Sequence, residues 1–295
     1  MLILISDAFD KSLPEKLAQF GEVTTDVSRV SQADVILIRS KTTCDKVYID
    51  SARNLKLIIR GGVGIDNIDK SYAESKGILV HNTPKASSIA VAELAFAMML
   101  SVPNRLVDAH NSMREGKWIK KELKRTELYG KTLCLGGIGN IATEVAVRAA
   151  AFGMQVVAYD KYVKDSPYAQ MKESFEEAVA DADYISLHLP LTCETEGVFG
   201  EKLIAACKKS PVVINTGRGA CVDAEAMVEA LKAGTISWYA TDVWPSDPPS
   251  EDYPILHSDH VTMTPHIGAS SRENLQRIGD EVISIIQSAV AGGRL

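Results

Sequence analysis

Short runs of Val, Ile and Leu recur along the chain, each followed by a stretch in which apolar positions fall three or four apart. Runs of four to six apolar residues bounded by turn residues read as strands, and the wider spacing reads as helix. In residues 1–82 the runs Leu2–Ile5, Val35–Ile38, Leu57–Ile59 and Ile78–Val80 predict strands, with a weaker one at Glu22–Asp26. Helices are predicted between them at about 12–20, 45–53 and 69–76. Asn82-Thr83-Pro84 breaks the pattern, and a long apolar helix is expected over 88–101. Pro103 should kink or end it, and 104–114 is helical again. After residue 160 strands are expected at Tyr184–Leu189, Val212–Asn215, Trp238–Asp242 and His260–Met263. Helices are expected near 173–180, 200–208 and 223–232, with a last one over about 270–290. Strands that are apolar throughout, alternating with helices, predict parallel sheets covered on both faces.

The stretch between these two series, KTLCLGGIGNIATEVAVRAAAFGMQVVAYD (131–160), is the most informative. An apolar run, Lys131–Leu135, leads into Gly136, Gly137 and Gly139. Helical spacing follows from Ile141 to Ala151, Gly153 ends that helix, and a second run, Gln155–Tyr159, closes on Asp160. Gly137-x-Gly139-x-x-Ala142 fits the dinucleotide fingerprint. Gly137 allows the sharp turn, Gly139 lets backbone approach a pyrophosphate, and Ala142 lets helix and strand pack closely. The anion would sit on the free N–H groups at the helix start. Asp160 is placed to bind an adenosine ribose and to repel a 2′-phosphate, which predicts NAD rather than NADP. With its two strands and those that follow, this part makes a Rossmann domain of about six parallel strands.

Composition narrows the classes. The chain has 295 residues, 46% hydrophobic and 24% charged, as expected for a soluble globular protein of two domains. A net charge of −6 argues against general nucleic-acid binding. Cys44, Cys134, Cys193, Cys207 and Cys221 are scattered without a C-x-x-C pair, which suits buried thiols in a reducing compartment better than disulfides or a metal site. MLILISDAF reads as a first strand and not as a leader, and no run reaches the roughly 18 apolar residues of a membrane span.

Four further segments carry candidate chemistry. Arg60-Gly61-Gly62-Val63-Gly64 follows the strand Leu57–Ile59, and its glycines leave backbone N–H groups to hold a carboxylate or make a plain turn. Asn215-Thr216-Gly217-Arg218-Gly219 presents a guanidinium between glycines at a strand end, suited to a carboxylate or carbonyl. Asp242-Val243-Trp244-Pro245-Ser246-Asp247-Pro248-Pro249 is an acidic, proline-rich segment. Thr264-Pro265-His266-Ile267-Gly268 places a His after a Pro at a strand end, opening a helix and suited to proton transfer near neutral pH. Arg, acid and His beside a nicotinamide site suit hydride transfer to or from a 2-hydroxy acid. The basic run KWIKKELKR (117–125) reads as a solvated face, or else as an arm lending charge to an anionic ligand.

RGGVGIDNID (60–69), GILVHNTP (77–84), VAEL (91–94), REGKWIKKELKRTELYGKTL (114–133), FGMQVVAYD (152–160), INTGRGACVD (214–223) and TPHIGASS (264–271) together resemble the D-isomer-specific 2-hydroxyacid dehydrogenases over nearly the whole chain. Within them the chain is most similar to the D-3-phosphoglycerate dehydrogenases. The resemblance implies that Arg218 anchors the substrate carboxylate and C2 oxygen and that His266 takes the hydroxyl proton. It implies that Asp247, where the family has Glu before Pro, holds the imidazole; being one methylene shorter, it puts that pairing in question. It implies substrate contacts from the backbone of Val63 and Gly64 and from Arg60, whose guanidinium would meet a phosphate. Cofactor contacts carry over to Thr83, Asn140, Ile141, Asp160, Leu189, Thr216, Gly217, Arg218, Asp242, His266, Gly268 and Ala269, beside Gly137 and Gly139. Asn140 stands where the family usually has Arg.

The expectation is therefore an α/β protein of two Rossmann-like, doubly wound parallel-sheet domains with a cleft between them. A flavodoxin-like substrate domain would span 1–92 plus 270–295, and a NAD domain 93–269. The expected reaction is NAD-dependent oxidation of 3-phospho-D-glycerate in serine synthesis, by a cytoplasmic homodimer joined through the NAD domain, without metal, nucleic acid or membrane. The alternatives are a hydroxypyruvate or glyoxylate reductase, another D-2-hydroxyacid dehydrogenase, or a non-catalytic NAD-sensing protein of the same fold. The regulatory domain of many phosphoglycerate dehydrogenases has no counterpart in the sequence, so inhibition by serine through it is not expected.

Overall fold

A computed structural model describes residues 1–295, which form two compact units: Met1–Ala90 with Ala269–Leu295, and Val91–Gly268. The first unit holds a five-stranded sheet of β1 (Leu2–Ile5), β2 (Glu22–Thr24), β3 (Val35–Ile38), β4 (Leu57–Arg60) and β5 (Leu79–Asn82), all parallel, in the order β2-β1-β3-β4-β5. β1 and β3 are buried at every position, as strands covered on both faces must be. Alternate residues feed two cores. Ile3, Leu37 and Ile59 meet Leu13 and Leu17 of α1 (Leu13–Leu17) and Ile278, Val282 and Ile286 of the C-terminal helix, Arg272–Ala291. Leu4, Ile36 and Ile58 meet Ile49 of α2 (Lys46–Ser51) and Ala73 of α3 (Lys70–Ser75). Asp45, Asp69 and Ser271 cap the second, third and C-terminal helices by accepting from the N–H groups of Tyr48, Tyr72 and Asn274.

The second unit begins within α4 (Ser88–Ser101), followed by α5 (Leu106–Arg114). The two helices meet at 64°, the break falling at Pro103 and at Arg105, whose φ is +51°. Seven parallel strands follow: β6 (Thr132–Gly136), β7 (Gln155–Tyr159), β8 (Gln170–Met171), β9 (Tyr184–Leu187), β10 (Val212–Asn215), β11 (Trp238–Thr241) and β12 (Val261–Met263). Their order is β12-β11-β10-β9-β6-β7-β8. The chain runs outward from β6 to β8, returns to β9 on the other side, and continues to β12. That reversal makes the β6/β9 junction a topological switch point, where open α/β sheets bind ligands at their carboxyl ends. α6 (Asn140–Ala151) packs Ala142, Val145, Ala146 and Ala149 on one face with Leu133 and Leu135. Phe175 of α7 (Phe175–Ala180), Leu203 of α8 (Glu201–Ala206) and Met227 of α9 (Ala224–Ala233) cover the other with Ile185, Leu187 and Val213.

Several expectations need correction. The second sheet has seven strands, not about six, because β8 is only two residues long and carries no apolar run. Val27–Gln32 forms a 3-10 turn where nothing regular was expected. His188 and Leu189 have left the sheet, and β5 runs on to Asn82. Cys193 is exposed, although Cys44, Cys134 and Cys221 are buried.

Candidate active site

The glycine turn leaves β6 with Gly137 at φ +86°, its N–H bonded to the carbonyl of Tyr159. A Cβ at Gly137 would lie 3.1 Å from the carbonyl oxygen of His188, so the turn is wedged between the ends of β7 and β9. Gly139 is different. It is the N-cap of α6, no side chain caps the helix there, and a Cβ would meet nothing within 4 Å. Nothing inside the chain calls for glycine at this position. What its absent side chain leaves is open space over uncapped helix N–H groups, which fits an approaching diphosphate. Asp160 sits beside it: Oδ2 accepts from the N–H of Ile138 and Oδ1 from those of Tyr162 and Val163. Burial works to raise the pKa of this carboxyl, but the three backbone donors and Lys164 outweigh it and keep it below the usual range. The acid is thus ionised and fixed in direction. Asn140 is exposed and Ile141 half-buried at the same helix start.

Three strand ends further along the same sheet edge carry the other candidate residues. After β10, Asn215 Oδ1 accepts from the N–H of Gly217 and its Nδ2 donates to the carbonyl of Arg218, which shapes the turn. Thr216 is buried with an unpaired hydroxyl, and half-buried Arg218 donates from Nη1 to the carbonyl of Gly217. A Cβ at Gly219 would lie 2.4 Å from the carbonyl carbon of Trp244, so the segment carrying Asp247 passes directly against the Arg218 turn. After β11, Asp242 is 2% exposed. Its Oδ1 accepts from Thr264 Oγ1 and the N–H of Ile267, and its Oδ2 from the N–H of Gly268. Between those anchors His266 holds a left-handed φ of +56°, a conformation that costs about 1–3 kcal/mol in a non-glycine residue and persists where its surroundings impose it. His266 Nδ1 is hydrogen-bonded to Asp247 Oδ2, which leaves Nε2 to face outward from a ring 29% exposed. The shorter Asp therefore reaches the imidazole. His266 does not open a helix as its setting suggested: the C-terminal helix starts six residues later, capped by Ser271.

Leu189 is half-buried just past β9 in the second unit, and the remaining sequence candidates lie in the first. Arg60 ends β4, and its guanidinium lies over Gly62, where a Cβ would come within 1.7 Å of Nη1. Gly62 is at φ +149°, so glycine is required there twice over. Neither Val63 nor Gly64 donates its N–H to a backbone carbonyl. Thr83 is fully buried with an unpaired hydroxyl, and Ala269 accepts from Arg39 Nη2. Sequence reasoning passed over Arg39, which leaves β3 beside Arg60 on the neighbouring strand end. It also passed over His188, whose Nε2 is 2.9 Å from Ser186 Oγ and whose Nδ1 is sealed from solvent without a partner. Burial lowers the pKa of His188 to about 4, so the ring is neutral. No group of three His, Cys, Asp or Glu side chains is placed to hold a metal.

Comparison with known proteins bears on these residues. Residues 96–268 match the D-isomer specific 2-hydroxyacid dehydrogenase, NAD binding domain, family. A D-3-phosphoglycerate dehydrogenase of Methanocaldococcus jannaschii is 39% identical over 302 residues, covering 98% of this chain and 57% of that protein. The chain thus spans a little over half of that relative. A hydroxypyruvate reductase of Thermotoga maritima is 43% identical over 263 residues, covering 87% of this chain and 85% of the relative. Among solved structures, a D-lactate dehydrogenase of Aquifex aeolicus, complexed with NAD and lactic acid, superposes with a TM-score of 0.87 at 30% identity, covering 99% of this chain and 96% of that one.

Proposed function

The chain belongs to the D-isomer-specific 2-hydroxyacid dehydrogenases, and from that premise we propose that it oxidises 3-phospho-D-glycerate to 3-phosphohydroxypyruvate with NAD⁺, the entry to serine synthesis. The observation that carries the reaction type is the His266–Asp247 pair, held in a strained turn on the sheet edge that also bears the glycine turn and Arg218. Bound NAD⁺ would supply the acceptor for the hydride that leaves C2. His266 Nε2 accepts the hydroxyl proton, because Nδ1 is already committed to Asp247. Asp247 orients the ring and stabilises the imidazolium that forms. Arg218 anchors the carboxylate and C2 oxygen with its planar donors. Gly137, Gly139, Asn140 and Ile141 supply backbone for the diphosphate and Asp160 the acceptor for the ribose. Leu189, Thr216, Gly217, Asp242, Gly268, Ala269 and Thr83 are the further proposed cofactor contacts. Asp242 spends both carboxylate oxygens on its own turn, so its part is to hold His266 and Gly268 in place. In this reading unit 1 binds substrate and unit 2 binds NAD.

The phosphorylated substrate rests on Arg60, with Val63 and Gly64 offering N–H groups to the carboxylate. Arg60→Ala should raise KM for phosphohydroxypyruvate at least about tenfold, since a charge-assisted hydrogen bond contributes roughly 1.5–3 kcal/mol. KM for hydroxypyruvate, which has no phosphate, should change much less. Equal losses on both would mean that Arg60 only braces Gly62 and its loop. The second reading is a hydroxypyruvate or glyoxylate reductase, favoured by the 43% identity to the Thermotoga maritima enzyme. A non-catalytic NAD sensor is disfavoured by the assembled His266–Asp247 pair. Dimerisation through the second unit is supported by Leu106, Val107, Met113 and Trp118, all exposed on α5 and the segment after it. A cytoplasmic location accords with five free cysteines.

A further inference from the structure

Two charged side chains that the proposed reaction does not use meet across the glycine turn. Lys161 follows Asp160 at the end of β7, and Glu194 lies in the loop after β9. These strands flank β6 on opposite sides. Lys161 Nζ is 2.6 Å from each carboxylate oxygen of Glu194, so the pair bridges from one neighbour of β6 to the other at the edge where the glycine turn emerges. Lys164, four residues after Asp160, is also engaged: it donates to the carbonyl of Asp160 and stands 6.0 Å from the ring centre of Tyr159.

We propose that Glu194 sets cofactor selectivity, by holding Lys161 away from the ribose 2′ position and by adding a second negative charge beside Asp160. This rests on the reading of Asp160 as the ribose acceptor and goes beyond it. Asp160 alone leaves an ammonium on the next residue, and a 2′-phosphate would recruit that ammonium. Here it is bidentate to a carboxylate. A 2′-phosphate must break that pair and then face both acids, whereas an unphosphorylated ribose leaves it intact. Asp160 and Glu194 balance Lys161 and Lys164; removing the Glu194 charge leaves these side chains one positive charge in excess and releases Lys161.

The test is the affinity for ADP-ribose and for its 2′-phosphate, measured by titration calorimetry on the whole chain, with NADH and NADPH turnover alongside. Glu194→Gln should leave the Kd for ADP-ribose unchanged and tighten 2′-phospho-ADP-ribose about fivefold, the upper end for a solvent-exposed charge pair. Glu194→Gln with Lys161→Met should lose that gain. Unchanged selectivity in Glu194→Gln, with ADP-ribose still bound, would overturn the role of Glu194 and spare the nucleotide site. Gain retained in the double variant would overturn the part given to Lys161. If ADP-ribose does not bind the parent protein, the nucleotide site itself is wrong, and this inference falls with it.

Discussion

His188 follows β9 directly. Its type and position, after an apolar strand, resemble those of His266, yet the two environments are opposite. His266 is partly exposed and bonded to an acid, while His188 has one nitrogen on Ser186 and the other sealed without a partner. Half-buried, with Nδ1 sealed from solvent and its pKa lowered by burial to about 4, His188 must affect acid stability. Above about pH 6.5 the ring is neutral in both folded and unfolded chains. As pH falls below that, the unfolded chain takes up a proton and the folded chain does not until about pH 4. Stability is therefore lost across the window from about 6.5 down to 4, by up to about 3 kcal/mol, and no further below it. Urea unfolding of His188→Gln should show an acid limb shallower by that amount; identical limbs would mean the ring protonates in the folded state. Residue type and strand-end position singled out Arg218 and His266 as candidates, whereas Asp247 emerged only from the family resemblance. The sequence could not expose Asp242 as the brace of the His266 turn, because that role depends on three donors 22 to 26 residues away.

Elements show the same division. Strand and helix positions were legible because their apolar periods are strong, and the glycine turn was legible because its small residues fall in register with them. The end of β5, the two-residue β8 and the turn around His266 were not, since local polarity there does not encode the pairing partner. The glycines themselves separate into roles that a motif treats alike. Gly137 is needed by the fold, at φ +86° against the His188 carbonyl, whereas Gly139 faces open space. Gly137→Ala should lower the melting temperature of the chain without nucleotide. Gly139→Ala should leave that temperature close to the parent's, apart from a small N-cap effect, and weaken NADH binding. Thermal unfolding paired with NADH fluorescence titration distinguishes them, and equal effects of the two variants on stability would refute the assignment of Gly139 to the diphosphate.

At the scale of the whole molecule, both sheets are parallel and covered by helices, and that character was the most legible feature of all; the order of strands within each sheet was not read from the sequence. No single helix is long and apolar enough to cross a membrane. Leu106, Val107, Met113 and Trp118 leave α5 and its following segment with a row of exposed apolar side chains. Met113→Lys combined with Trp118→Glu should convert a dimer to monomers in sedimentation equilibrium; a parent that sediments as a monomer would contradict dimerisation outright. The central claim, that this chain transfers hydride between NAD and a 2-hydroxy acid with His266 as acid–base, has a more direct test. NADH consumption should be followed with phosphohydroxypyruvate, hydroxypyruvate and glyoxylate, for the parent and for His266→Ala. The parent should turn over, fastest on phosphohydroxypyruvate, and His266→Ala should fall by about 10²–10⁴-fold while still binding NADH. No turnover of any of the three by the parent, or full turnover by His266→Ala, would contradict it.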